Sequence, residues 1–299
     1  MTECMLRRFA EEAGIPLREQ EPLREHTTFR IGGPARFFAL PKTVEQLAAL
    51  AAFAAKQGLR FAVLGNGSNL LAADEGYDGL VIRTPEESPV WNDDHTVTVA
   101  AGYSLSRLSA VAGQRGLTGL TFAQGIPGTV GGAVVMNAGA YGGQIADTLI
   151  SGQCITPEGL RTLSAEQHAL AYRTSVYARH PQWIAARATF RLTPGDSRQI
   201  AAEMADYASR RREKQPLEYP SAGSTFKRPE GHFAGKLIED CGLKGFSVGG
   251  AQVSEKHAGF VINRGGATCA DVLALMQAVS DLVFDRFGIR LEPEVKLLK

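Results

Sequence analysis

The 299-residue chain lacks the features that mark membrane, metal-binding and nucleic-acid-binding proteins. No uninterrupted apolar run reaches the roughly 18 residues that a membrane-spanning helix needs. The four cysteines form neither a C-x-x-C pair nor a Cys/His spacing, which argues against a metal site and favours a reducing, cytoplasmic compartment. A net charge of +1 provides no field for nucleic acid or a membrane surface. The N-terminal segment carries acidic residues and no apolar core, so we expect no signal peptide.

The most informative feature present is the segment 125–143, GIPGTVGGAVVMNAGAYGG, which holds seven glycines. Glycine has no side chain, so this density indicates that main chain lies close against another group. Exposed N–H groups in such segments can bind a phosphate or a flat ring. The alternative interpretation is a run of tight turns between strands.

Two further glycine turns lie beside strand-like segments. GNGSN (65–69) follows the apolar run 61–64, and RIGGPA (30–35) precedes the apolar run 36–40. Leu70 stands where a dinucleotide fingerprint has its third glycine, and no NTPase-type phosphate loop occurs. Three separate turns favour one extended cofactor held by backbone over one small anion.

Periodicity and capping signals predict a mixed α/β organisation. Thr43 and Gln46 form a capping box, and polar residues at 85–94 indicate a domain boundary. Apolar spacing in the last helix predicts a buried face that includes Met276, Leu282 and Phe287. We predict helices within 41–58, 104–116, 197–213, 235–241 and 270–287, and strands at 61–64, 80–83, 95–101, 150–155 and 183–192.

Together these motifs resemble one family, the UDP-N-acetylenolpyruvoylglucosamine reductases, flavoenzymes of peptidoglycan precursor synthesis. The matching stretches follow the family's order and span nearly the whole chain: HTTFRIGG (26–33), LGNGSNL (64–70), 125–142, YRTS (172–175), AGSTFK (222–227) and LEPEV (291–295). The form YPSAGSTFK (219–227) resembles the shorter subtype, which lacks an inserted loop with a substrate-facing tyrosine.

The resemblance implies an α+β fold with a two-lobed FAD-binding domain of the PCMH/vanillyl-alcohol-oxidase type and a C-terminal α+β substrate-binding domain. We place the lobes at 1–84 and 85–209, and the third domain at 210–299, whose tail returns Glu294 to the active site. The resemblance also implies noncovalent FAD, which agrees with the absence of histidine from the glycine turns, and NADPH as the hydride donor. We expect a monomer that binds a small nucleotide-sugar substrate, no nucleic acid and no metal.

The family motifs also imply which residues bind the cofactor. A bulky replacement of Gly67 is expected to block the close approach of backbone to FAD. The implied set is Ile31, Gly32, Gly33, Leu64, Gly65, Asn66, Gly67, Ser68, Asn69, Gly125, Ile126, Pro127, Gly128, Gly131, Gly132, Asn137, Gly139 and Ala140.

Three residues match the family's catalytic positions. Reduction of an enolpyruvyl ether places a hydride on C3 and a proton on C2, while charge spreads into the carboxylate. Arg173 would grip that carboxylate, and Ser224 would donate the proton. Glu294 would orient the enolate or share a proton with it. Glu292 lies on the same side of an extended segment, so spacing alone does not choose between the two glutamates.

Four further residues are implied to contact the substrate: Tyr172, Arg211, Lys214 and His257. Arg211 and Lys214 are three positions apart and would share one helix face, on which they could bind the diphosphate. A solvated basic face is the alternative interpretation. Arg210, Arg211 and Arg212 are consecutive and cannot all point at one ligand.

Two other functions are compatible with the glycine turns. Another oxidoreductase on the same flavin fold would be reduced slowly by NADPH and would react with oxygen. A nucleotide-sugar-binding or transferase protein would use the turns for a diphosphate and would be colourless. The visible spectrum of the purified protein separates the second alternative from any flavoenzyme.

Overall fold

The computed structural model describes residues 2–299, which divide into two compact units. Unit 1 comprises the chain up to Glu19, Phe37–Gly65 and Gly79–Ser209. Unit 2 comprises Gln20–Arg36, Asn66–Asp78 and Arg210–Lys299. The three-part division of the sequence into two lobes and a substrate domain stays a prediction.

The described residues contain eight α-helices and nineteen strands. The helices are α1 Thr2–Glu12, α2 Val44–Lys56, α3 Leu105–Gln114, α4 Val130–Met136, α5 Val176–Arg179, α6 Ser197–Lys214, α7 Ala234–Asp240 and α8 Cys269–Phe287. The strands are β1 Leu17–Pro22, β2 Pro34–Ala39, β3 Phe61–Leu64, β4 Leu70–Ala72, β5 Tyr77–Arg83, β6 Val90–Trp91, β7 Thr96–Ala100, β8 Leu117–Thr118, β9 Gly139–Ala140, β10 Gly143–Gln144, β11 Leu149–Thr156, β12 Gly159–Ser164, β13 Ile184–Arg191, β14 Thr193–Pro194, β15 Ser221–Ser224, β16 Ser247–Val248, β17 Ala251–Val253, β18 Phe260–Asn263 and β19 Lys296–Leu298.

Unit 1 is organised around a five-stranded antiparallel sheet of order β12-β11-β13-β7-β6. Val97 and Val99 of β7 are buried, as their alternation predicted, and pack in one core with Leu105 and Leu108 of α3. The edge strand β6 lies inside the polar segment 85–94, where a boundary was expected. Part of this polar segment is therefore a strand, because Val90 and Trp91 pair with β7.

The predicted helix starts follow from local hydrogen bonds. Ser104 caps α3 by accepting from the Arg107 N–H, and Thr43 caps α2 by accepting from the Gln46 N–H. The predicted capping box is only half formed, because the Gln46 side chain accepts from the Lys42 N–H, one residue earlier than expected.

Unit 2 contains a sheet of order β15-β18-β17-β16 packed with α7 and α8. Thr268 and Asp271 form a capping box at the start of α8, and Gly288 ends the helix in a left-handed conformation. Met276 is buried as predicted, whereas Leu282 and Phe287 are 40% and 37% exposed. The apolar stripe of α8 is thus wider than the face that its neighbours cover.

No helix among residues 2–299 combines the length and the apolar character that crossing a bilayer requires.

Candidate active site

The glycine-rich segment of unit 1 contains a short helix, α4, which its glycine content did not predict. Thr129 caps α4 by accepting from the Gly132 N–H at 3.3 Å. The Val130 and Gly131 N–H groups donate to the carbonyls of Tyr103 (2.9 Å) and Ala101 (2.8 Å). The first donors of this helix are therefore satisfied within the protein and are not available to a phosphate.

Three of the seven glycines of this segment, Gly131, Gly139 and Gly143, are required by protein packing. A Cβ on Gly131 would lie 2.6 Å from Ala101 Cβ, and one on Gly143 would lie 2.7 Å from Phe122 Cδ1. Gly65 has the same constraint, since its Cβ would lie 2.5 Å from Thr129 Oγ1. Gly132 differs, because it is exposed and the nearest atom to its Cβ, Thr129 Oγ1, is 3.6 Å away. Protein packing does not explain the missing side chain of Gly132, which fits a group that lies against α4.

The glycine turns of unit 2 pack against their own unit. A Cβ on Gly32 would meet Ala72 Cβ at 2.5 Å, and one on Gly33 would meet the Asp74 carbonyl oxygen. Gly67 has a φ of +60°, and its Cβ would collide with the His26 carbonyl oxygen. A bulky residue at Gly67 would thus disturb the fold even without a cofactor, so the expected effect of that replacement on FAD is not diagnostic.

Arg173 lies in a four-residue turn of unit 1, residues 171–174, closed by backbone hydrogen bonds between Ala171 and Thr174. The backbone of Arg173 is left-handed, with a φ of +53°. Its guanidinium Cζ lies 5.7 Å from the centroid of the Tyr172 ring, and Tyr172 itself is 59% exposed. The turn therefore presents an aromatic ring and a fixed cation together.

Ser224 ends β15 of unit 2 and is exposed. The register of β15 with β18 shifts between Ser221 and Ser224, and Gly223 has a φ of +77° within this irregularity. Bulges of this kind re-aim a side chain and often lie beside active sites. Sequence reasoning missed the bulge, although a glycine directly before the candidate serine was the available signal.

The C-terminal tail pairs with the residues that follow β15, the serine strand, which ends at Ser224. The Glu294 N–H donates to the Thr225 carbonyl at 2.9 Å, so Glu294 is held next to Ser224 along the backbone. Asn69 Nδ2 donates to the Glu294 carbonyl at 3.2 Å, and the Lys296 N–H donates to the Asn69 carbonyl at 2.9 Å. The tail thus brings together three sequence-predicted parts of unit 2: the turn 66–69, Ser224 and Glu294.

The structure also separates the two tail glutamates. The exposed Glu292 carboxylate forms an ion pair with Lys227 Nζ, and its carbonyl accepts from the Lys227 N–H at 2.8 Å. Glu294 is half-buried. Because Glu294 is less exposed than Glu292 and its N–H is bonded to the residue after Ser224, Glu294 is the better candidate for chemistry.

The basic residues before the serine strand differ in burial. Arg211 is only 9% exposed, whereas Arg210, Arg212 and Lys214 are exposed. The burial of Arg211 argues against a solvated role for this guanidinium.

His257 lies in the turn that leads to β18 of unit 2. Its Nδ1 accepts from the Gly259 N–H at 3.0 Å, and burial lowers the pKa of the imidazole. A neutral His257 with an accepting Nδ1 carries its proton on Nε2 and can donate one hydrogen bond from there. It is therefore a neutral donor near β15, and no fixed cation.

Two known domain families match this chain, in separate parts of the sequence. The FAD-binding domain family matches residues 35–164, and the C-terminal domain of UDP-N-acetylenolpyruvoylglucosamine reductase matches residues 215–298. The chain is thus an FAD-binding oxidoreductase with a distinct C-terminal domain, and the predicted α+β fold class is confirmed.

The relatives identify the particular family. UDP-N-acetylenolpyruvoylglucosamine reductase of Agathobacter rectalis is 49% identical over 95% of this chain and 94% of its own length. That of Geobacillus kaustophilus is 47% identical over 93% and 91%. The crystal structure of the Thermus caldophilus reductase superposes with a TM-score of 0.80 at 34% identity, covering 95% of this chain and 99% of its own. The chain belongs to the UDP-N-acetylenolpyruvoylglucosamine reductase family.

Proposed function

We propose that this protein reduces UDP-N-acetylglucosamine enolpyruvate to UDP-N-acetylmuramate with NADPH and noncovalent FAD, in the synthesis of peptidoglycan precursors. The observation that supports this most is the pairing of the C-terminal tail with the segment 225–227, which directly follows β15 and so sets the hydroxyl of Ser224 and the carboxyl group of Glu294 on neighbouring backbone. The four cysteines are free thiols, which agrees with a reducing cytoplasmic compartment. The protein is proposed to act as a monomer, since every proposed role is assigned to residues of one chain.

FAD binding is proposed for the three glycine segments, 31–33, 64–69 and 125–140. Gly132 is the position that supports this best, since protein packing leaves its surface uncovered. The chemistry that FAD supplies when bound is hydride transfer, from NADPH to the flavin and from the flavin to C3 of the enolpyruvyl ether. The remaining steps belong to side chains of this protein.

Arg173 is proposed to bind the carboxylate of the enolpyruvyl group. A guanidinium stays charged and presents paired donors that match a carboxylate. Charge that develops on this carboxylate during reduction is therefore stabilised more strongly than charge in the ground state, which is the requirement for catalysis.

Ser224 is proposed to donate the proton to C2, and Glu294 to orient the developing enolate or to share a proton with it. The exposed Ser224 hydroxyl and the half-buried Glu294 are consistent with these roles. Arg211, Lys214, Tyr172 and His257 are proposed to bind the nucleotide sugar, the two cations through its diphosphate.

The decisive experiment follows the two half-reactions of Ser224→Ala by stopped-flow flavin absorbance. Reduction of the flavin by NADPH needs no proton at C2, so it should proceed at the wild-type rate. Oxidation of the reduced flavin by the enolpyruvyl substrate should slow by at least ~10²-fold, the usual contribution of a positioned acid. Ser224→Cys should retain more activity than the alanine variant, since a thiol still donates a proton.

Ser221→Ala is the matched control, because Ser221 opens the same strand. Its backbone carbonyl, which accepts from Thr28 Oγ1 at 2.7 Å, survives the change, and both half-reactions should be unaffected. A Ser224→Ala enzyme that loses flavin reduction and reoxidises normally would refute the proton-donor role. A colourless wild-type protein would refute the proposed flavin chemistry altogether.

A further inference from the structure

Asn137 ends α4 in a left-handed conformation, with φ 42° and ψ 59°, which asparagine tolerates better than most residues. The residue is 4% exposed. Its Nδ2 donates to Gln144 Oε1 at 3.0 Å and to the Ala171 carbonyl at 3.2 Å. Its Oδ1 accepts from the Ala146 N–H at 3.0 Å. Both ends of the side-chain amide are hydrogen-bonded within unit 1, so the backbone of Asn137 is the part that could contact FAD.

The bond to Ala171 reaches the turn that carries Arg173. The Ala171 carbonyl accepts both from the Thr174 N–H, which closes the turn at 3.2 Å, and from Asn137. Arg173 occupies the strained position of this turn, with its φ of +53°. A left-handed non-glycine residue persists only where its surroundings hold it, and the Asn137 amide is one of the groups that do so.

We propose that Asn137 is a positioning residue, which couples the glycine-rich segment to the turn 171–174 and holds the Arg173 guanidinium in its productive orientation. The inference rests on the proposed function, in which Arg173 binds the substrate carboxylate. An arginine clamp is effective only in a narrow range of positions, and a displacement of about 1 Å can cost on the order of 10²-fold in rate.

A simple helix-capping role makes a different prediction. A cap needs only a residue that adopts the left-handed conformation, which glycine does at least as well as asparagine. Positioning of Arg173 needs the Nδ2 donor. Asn137→Asp keeps the shape and the acceptor oxygen but loses this donor, and Asn137→Gly keeps only the backbone conformation.

The test compares the half-reactions of Asn137→Asp with those of wild type. Flavin content and reduction by NADPH should be unchanged, while oxidation of the reduced flavin by substrate should slow by at least ~10-fold, because only this step uses Arg173. Asn92→Asp is the matched control, since Asn92 Nδ2 also donates to a protein oxygen of unit 1, Thr96 Oγ1 at 2.9 Å, in the hairpin of β6 and β7. Both of its half-reactions should match wild type.

A double-mutant cycle with Arg173→Ala separates positioning from general damage. If Asn137 acts through Arg173, Asn137→Asp should cause little further loss in the Arg173→Ala background. An equal loss in both backgrounds overturns the proposal. If Arg173→Ala alone leaves the substrate half-reaction intact, the proposed role of Arg173 has failed, and positioning fails with it. Should Asn137→Asp not accumulate as folded holoenzyme, Asn137→Gly takes its place in the same cycle.

Discussion

The glycine-rich segment of unit 1 and the serine strand with its tail in unit 2 are built by different means. In the segment 125–143 the decisive contacts are steric, because Gly131 and Gly143 lie where no side chain fits. In unit 2 the decisive contacts are backbone hydrogen bonds, which join Thr225 to Glu294 although they are far apart in sequence. Changes of side chain should therefore cost stability in the first region and chemistry in the second.

The largest effect is expected from the two tail glutamates. Glu294→Gln replaces the carboxyl group beside Ser224 with an amide and should slow oxidation of the reduced flavin by substrate by about 10²-fold, with normal thermal stability. Glu292→Gln removes only an exposed ion pair with Lys227, which should change the rate by less than about fivefold. Stopped-flow absorbance measures both variants. If Glu292→Gln were the slower enzyme, the assignment would move to Glu292.

A second pair of variants probes two neighbouring glycines of α4. Gly131→Ala places a methyl group against Ala101 and should lower the free energy of unfolding by about 1–3 kcal/mol. Gly132→Ala meets no such obstacle and should leave the apoprotein as stable as wild type, or more stable by up to about 1 kcal/mol. Urea denaturation of the two apoproteins measures this difference.

The same pair tests the cofactor surface. If FAD lies against α4, Gly132→Ala should lower the flavin occupancy of the purified enzyme without a loss of apoprotein stability. Full occupancy would remove Gly132 from the proposed FAD contacts. A Gly131→Ala protein as stable as wild type would contradict the steric interpretation of Gly131.

A smaller effect is expected at the basic end of α6. Lys214→Ala should raise the KM for the nucleotide-sugar substrate by about fivefold at an unchanged kcat, as one exposed charge contact contributes roughly 1 kcal/mol or less. Arg212→Ala is the control, since Arg212 is exposed on the same helix and should leave KM unchanged. Equal KM values for Lys214→Ala and wild type would show that Lys214 does not bind the substrate and belongs to a solvated basic face.

The smallest effect concerns pH. His168 in unit 1 is 1% exposed, neither ring nitrogen has a hydrogen-bond partner among residues 2–299, and burial lowers its pKa. Below about pH 6.5 the unfolded chain binds a proton that the folded chain does not, so stability falls with falling pH. His168→Phe should therefore lose less stability between pH 7 and pH 5 than wild type does, measured by urea midpoints. Part of the slope should persist, because the pKa of His257 in unit 2 is also lowered.

Features that depend on near neighbours along the chain could be predicted from the sequence. Thr43 and Ser104 predicted two helix starts because a cap needs only the next three residues. The alternation of Val97 and Val99 predicted one buried face of β7, because side chains of a strand point to opposite faces in turn, but not the burial of Thr96 and Ala100 on the other face. The ordered motifs were likewise enough to predict the family.

Features that depend on contacts between distant parts of the chain became visible in the folded protein alone. Gly131 and Gly132 are alike in sequence, and Ala101, which excludes a side chain at one of them, comes from another element. Leu282 and Phe287 continue the apolar stripe of α8, yet no neighbour covers them fully. Glu292 differs from Glu294 in its ion pair with Lys227 and in its greater exposure. Arg211 differs from Arg210 and Arg212 in being buried. Local sequence fixes what a segment can form, whereas packing decides which of its residues remain available for chemistry.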